Sequence, residues 1–146
     1  MTPEQSPGFL LWRVTLAWQR AMRSALAPHE LTHVQFVLLA SLWWISEHED
    51  GPPTQTRLAA QAGTDPMMTS QVIRKLEARR LLKREPDPAD SRALRLRLTA
   101  SGRRLVDRAL ADVEAADEQF FGALSNREAG FVAGLRSLAD NLGPSR

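Results

Sequence analysis

The chain has 146 residues, enough for one domain with a real core, and a formal net charge of +2. It contains no cysteine, which excludes a disulfide framework, a thiolate metal site and a thiol redox sensor. No apolar run approaches the roughly 18 to 20 residues of a bilayer span. The opening MTPEQSPGF lacks the basic and apolar segments of an export signal, so a soluble cytoplasmic protein without a membrane partner is expected.

In chain order, Ser6 followed by Pro7 is a helix-start signal, the proline standing where a missing N–H costs nothing. Leu10, Val14, Ala17/Trp18, Ala21 and Ala25 then recur at helical spacing until Pro28. Trp12 falls off that stripe, and an exposed tryptophan here points to a partner surface such as a second subunit. Thr32 and Gln35 have capping-box spacing, and the segment after them is apolar on nearly every side, as expected of a central core helix. EHEDGPP reads as a plain loop.

Thr54 is placed to cap a short helix that stops at Gly63, and Asp65-Pro66 opens another. Two helices across a tight glycine-containing turn make a helix-turn-helix. Met68, Val72, Ile73 and Leu76 are the expected inward stripe of the second helix. Ser70, Gln71, Arg74 and Lys75 fall on the faces open to a major groove. Leu81–Arg84 and Leu94–Leu98 read as strands, the latter alternating leucine with arginine so that one face is apolar and the other basic. EPDPADSRA between them is a loop with Arg92 at its tip, placed to enter a minor groove or to pair with Asp87 or Asp90. From Arg74 to Arg108 there are twelve basic residues against five acidic ones, a net +7 that leaves −5 for the rest of the chain. Charge so concentrated on one helix and one hairpin is the footprint of a nucleic-acid reader.

Thr99 is the expected cap of a long helix with Val106, Ala109/Leu110, Val113, Ala116, Phe120 and Leu124 on one stripe. Ser125 to Glu128 has capping-box spacing. A last helix with Phe131, Leu135, Leu138 and Leu142 in line runs to Gly143-Pro144.

This order of elements, and above all LEARRLLKREPDPADSRALRLRLTASG, resembles the MarR (multiple antibiotic resistance regulator) family over nearly the whole chain. Asp90, Arg92, Leu98, Thr99 and Gly102 stand where that family's pattern has them. The resemblance implies a mainly α fold with a small β-hairpin wing, a single domain over 1–146. Residues 30–99 would form the winged helix-turn-helix lobe, and 6–27 with 100–143 the dimerisation helices. It implies a homodimer on a pseudo-palindromic double-stranded DNA operator, acting as a repressor and released by a small, often aromatic, ligand. Ser70, Gln71 and Arg74 would approach base edges, with Lys75 beside them. Thr54, Gln55, Arg57, Lys83, Arg84, Arg95 and Arg97 would meet phosphates, with Arg92 in the minor groove. Trp12, Trp18, His33, Trp43 and Trp44 are the ligand-site candidates, against the alternative that they are core aromatics. Two departures stand out. Arg80 occupies a position where many members close the recognition helix with glycine, and Ser91 one where many carry a second wing arginine.

Three other readings compete. His29 and His33, with Glu47 and His48, suggest a metal-responsive regulator, although Pro28 and the Thr32 cap separate the two histidines. A winged-helix protein-interaction module without DNA is disfavoured by the +7 window. An enzyme is not expected, because no phosphate-cradling loop, nucleophile–base pair or apolar carboxylate pair is found; no cofactor is called for.

Overall fold

The computed structural model describes residues 1–143. Eight principal elements follow in order: α1 Pro7–Leu26, α2 His33–His48, α3 Gln55–Ala62, α4 Pro66–Ala78, β1 Leu82–Asp87, β2 Asp90–Leu98, α5 Ala100–Phe121 and α6 Glu128–Asp140. The start signals act as expected. Ser6, Thr32, Thr54, Asp65 and Thr99 each accept a backbone N–H with the side chain, and Thr32 completes its capping box with Gln35.

The core gathers around α2, whose Phe36, Leu38, Leu39, Leu42 and Ile45 are buried against Met22 and Leu26 of α1, Leu58 of α3, Ile73 and Leu76 of α4, and Leu105, Val106, Ala109 and Val113 of α5. On α1 only Met22 and Leu26 are buried. The expected stripe is uncovered in its first half, where Phe9, Leu10, Leu11, Trp12, Val14 and Leu16 are all exposed. No residue of α6 is buried, and Leu135, Leu138 and Leu142 stand in solvent. Uncovered apolar stripes of this kind mark interaction surfaces.

Four expectations are corrected. α2 runs on through Glu47 and His48, and the loop after it is not plain: Pro53 O accepts the Leu96 N–H at 2.8 Å, and Thr54 bridges Arg95, adding a minimal third strand to the wing. The wing strands extend to Asp87 and from Asp90, so the nine-residue loop shrinks to a turn at Pro88-Ala89. Ser125 does not cap α6. It lies in the left-handed half of backbone space (φ 52°, ψ −125°) inside a kinked 3-10 turn, and Arg127 precedes the helix without a side-chain cap. α6 stops at Asp140, and Pro144, the expected stop, lies outside the described residues. No helix of the described residues is long and apolar enough to cross a membrane.

Candidate nucleic-acid interface

The helix-turn-helix is fixed by short-range chemistry at both ends of α4. At its start Asp65 Oδ1 accepts the Met68 N–H at 2.8 Å. Thr69, not Met68, takes the inward position: it is fully buried, its hydroxyl 2.6 Å from that of Thr64 and donating to Asp65 O at 2.7 Å. Met68 is 41% exposed, contrary to its expected place in the inward stripe. A threonine so close to the cap can satisfy its hydroxyl on the last non-helical carbonyl, so burial costs it little.

At the far end Arg80 adopts φ 60°, the left-handed conformation that glycine usually supplies. The Leu81 N–H returns to Leu76 O at 3.0 Å and the Arg80 N–H to Glu77 O at 2.9 Å, a complete Schellman motif with buried Leu76 and Leu81 in the positions of its apolar contact. The helix therefore ends as a glycine-closed one would, with arginine bearing the strain. Leu81 is then clipped to α5. Its carbonyl accepts the Thr99 N–H at 3.1 Å, and Thr99 Oγ1 donates to Arg80 O at 2.7 Å. Gly102 lies so close to that carbonyl that a Cβ there would stand 1.9 Å from the oxygen.

The wing pairs Leu82 with Leu98 through Pro86 with Leu94, then shifts register to pair Asp87 with Asp90. Ser91, Arg92 and Ala93 thus have no partners on β1, and such a bulge re-aims the residues it carries. The Ala89 N–H donates to Asp87 and the Arg92 N–H to Asp90, at 2.9 and 3.0 Å.

The basic residues expected to meet DNA divide into two groups. Lys83 and Arg97 share Glu85, Arg84 meets Glu77, and Arg57 is held by Glu49 and by Gln61. Arg95 pairs with Asp87 at 2.7 Å and also donates to Pro52 O, so it fastens the wing to the loop before α3. Hydrogen bonds from Arg97 and Lys83 hold the Glu85 carboxyl below the usual carboxylate range; the Ala89 N–H and then Arg95 do the same for Asp87. Arg74, Lys75 and Arg92 form no ion pair among the described residues. Arg92 therefore does not follow the alternative in which its guanidinium is spent on Asp87 or Asp90. The uniformly basic strand face expected from alternation is largely self-neutralised, and Leu94, on the opposite alternation, is 44% exposed.

On α4, Gln71, Arg74 and Lys75 point outward while Ser70 is half-buried. Thr54 uses its hydroxyl to cap α3, with half-buried Gln55 beside it.

The five aromatic candidates do not form one site. Trp18 and His33 meet edge to face at 5.0 Å, with Trp18 Nε1 donating to Asp117 at 2.8 Å. Burial, opposed by Asp117 and reinforced by Arg23, pushes the His33 imidazole below its ordinary value. Trp43 lies beneath the Arg103 guanidinium, and Trp44 stacks on His48 toward the other end of α2, about 17 Å along the helix from His33. Trp12 is 62% exposed. A cavity of about 470 Å³ opens beside His33, lined also by Gln19, Arg23, Leu31 and Val34. His29 is engaged with Asp112 at 2.6 Å, and no group of three potential ligands among the described residues could hold a metal.

The MarR family pattern matches residues 31–94, from the start of α2 to the bulge of the wing. The chain is 44% identical over 136 residues to the HTH-type transcriptional regulator YdcH of Bacillus subtilis (strain 168), covering 93% of this chain and 91% of that one. The chain belongs to the MarR family. It is a DNA-binding transcriptional regulator and not an enzyme. It is also 34% identical over 118 residues to the HTH-type transcriptional repressor Rv2887 of Mycobacterium tuberculosis (strain ATCC 25618 / H37Rv), 81% of either chain. Among solved structures it resembles BpsR of Bordetella bronchiseptica, whose DNA binding is regulated by 6-hydroxynicotinic acid: TM-score 0.86, 27% identity, 97% of this chain and 99% of that one.

Proposed function

We propose that the protein is a cytoplasmic, dimeric repressor that binds a pseudo-palindromic operator and lets go when a small aromatic acid binds. The observation that carries this reading is the division of its cations. Carboxylates hold Lys83, Arg84, Arg95, Arg97 and Arg57, while Arg74, Lys75 and Arg92 are left for DNA on the outer face of α4 and the bulge of the wing. Residues 30–99 act as the DNA-reading lobe, and 6–27 with 100–143 pair the two copies. Support for the pairing comes from the exposed apolar faces of α1 and α6, and from the groove of small residues, Ala21, Ala25, Ala115 and Ala116, between α1 and α5. A second copy gives those faces cover, and two recognition helices spaced by a two-fold axis read an inverted repeat. In this scheme Gln71 and Arg74 read bases, with Ser70 at the groove edge. Lys75, Thr54 and Gln55 lie toward the phosphates as position-setting contacts, Arg57, Lys83, Arg84 and Arg95 reach phosphates only by exchanging their carboxylates for them, and Arg92 enters the minor groove.

The effector site in this reading is the cavity beside His33. Arg23, without an ion pair among the described residues, supplies a carboxylate anchor, and His33, braced edge to face by Trp18 behind it, supplies an aromatic wall. Such a ligand acts only through unequal affinity for the DNA-competent and DNA-incompetent spacing of the lobes.

Footprinting on the DNA flanking the coding region, with and without aromatic carboxylic acids, tests both parts. A protected inverted repeat, lost on adding an acid and lost steeply with rising salt, is the expected result. Binding that ignores sequence and salt refutes the operator reading. Protection that no aromatic acid relieves refutes the effector reading.

A further inference from the structure

We infer that Met67 is a specificity-determining residue that reads the 5-methyl group of a thymine in the major groove. The inference deepens the operator-binding reading and rests on it.

Met67 is 72% exposed on the first turn of α4, although it is large and apolar. An exposed methionine is ordinary on a surface, but the position of this one is specific. The buried side of α4 is marked by Thr69, Ile73 and Leu76. At 100° per residue Met67, Gln71 and Arg74 fall within about 60° of one another, on the side facing away from those three. The spacing i, i+4, i+7 makes them one outward stripe, and Met67 is its N-terminal member. The N-terminal residues of a recognition helix are the ones that reach base edges in a helix-turn-helix.

The chemistry of the stripe is complementary to base edges. Glutamine pairs bidentately with adenine and arginine with guanine, and apolar side chains recognise the thymine methyl. Thymine is the one base whose major-groove edge carries an apolar group. A thioether with three rotatable bonds fits such a contact without demanding one geometry. Charge supports the same occupant: Arg74 and Lys75, two turns further along the same helix, carry no ion pair among the described residues, so this face suits a polyanion rather than an apolar protein partner. Met68, at 41% exposure, is turned toward the flank of the helix and is not part of the stripe. Four residues of helix rise about 6 Å, so the thymine read by Met67 lies one or two base pairs from the base read by Gln71.

Replacing thymine by deoxyuridine removes the methyl group alone and is the decisive probe. Duplexes are first selected from a random pool by binding to the full-length protein at fixed salt. Each thymine in a recovered half-site is then replaced by deoxyuridine, and affinities are measured for wild type and for Met67→Ala. One deoxyuridine position, one or two base pairs from the position sensitive to Gln71→Ala, should weaken wild type about fourfold, the worth of one buried methyl group. The same replacement should leave Met67→Ala unchanged, and that variant should melt as wild type does because Met67 is exposed. Wild-type affinity indifferent to every replacement overturns the inference, as does an equal loss in both proteins. Recovery of no preferred duplex instead refutes the operator reading beneath it.

Discussion

Gly102→Ala provides the sharpest test of how the wing is held. A Cβ at residue 102 would lie 1.9 Å from the Leu81 carbonyl oxygen, 2.8 Å from its carbon and 3.2 Å from its Cα. All three are backbone atoms, so no side chain can swing aside. Restoring ordinary van der Waals separation requires α5 and the base of β1 to part by about 1.5 Å. That movement breaks the 3.1 Å hydrogen bond from the Thr99 N–H to the same carbonyl and slackens the Thr99 hydroxyl contact to Arg80 O. Overpacking costs about 1–3 kcal/mol and the lost hydrogen bond about 1 more, for a total of about 2–4 kcal/mol. At about 3 °C per kcal/mol for a chain of this length, the melting temperature should fall by about 6 to 12 °C. Circular dichroism melts at matched protein concentration measure this, with Gly122→Ala as control because a Cβ there meets nothing within 4 Å. Operator affinity should also fall, since Leu81 sets where the wing begins. A melting temperature within about 2 °C of wild type, with unaltered operator affinity, would refute the close approach of α5 to Leu81.

Arg80→Gly should stabilise the protein by up to about 1 kcal/mol, because relief of a left-handed L-residue (about 1–2 kcal/mol) exceeds the extra backbone entropy of glycine; a lower denaturation midpoint would contradict it. Arg92→Ala should weaken operator binding and reduce the slope of log affinity against log salt by about two, one for each wing of the dimer, with thermal stability unchanged. Arg95→Ala should instead lower stability as well, because Arg95 ties Asp87 to the Pro52 carbonyl; equal melting of the two variants would undo the division between free and engaged arginines. His33 has a folded-state pKa below its unfolded value, so its neutral form favours the fold. Its contribution is complete above the unfolded value and declines as pH falls from there toward the folded one. Denaturant titrations from about pH 8 to pH 5 should show that decline for wild type and a flatter profile for His33→Gln; superimposable profiles would remove His33 as its source.

Local chemistry made much of this protein legible before any coordinates. Ser6, Thr32, Thr54, Asp65 and Thr99 cap their helices because a capping side chain bonds a backbone N–H two or three residues away, and such contacts depend only on adjacent sequence. The helix-turn-helix, the hairpin and the concentration of charge were readable for the same reason. Thr69 was missed because its hydroxyl marks it as polar, whereas its partners, Thr64 and the Asp65 carbonyl, make it an inside residue. The Ser125 cap failed because the turn before α6 kinks, which spacing alone does not reveal.

What only tertiary structure decided is which charges are available. Sequence determined that twelve basic residues crowd 35 positions, from Arg74 to Arg108. Cross-strand pairing and the return of the loop before α3 determined that Arg95 and Arg97 are held by carboxylates, while a register shift leaves Arg92 outside the ladder. The same holds for Gly102: its place in the chain is a matter of sequence, but its necessity arises from the Leu81 carbonyl, about twenty residues away along the chain. Helix signals act over one turn of chain, whereas ion pairing and close backbone approach depend on distances that exist only after distant segments have packed.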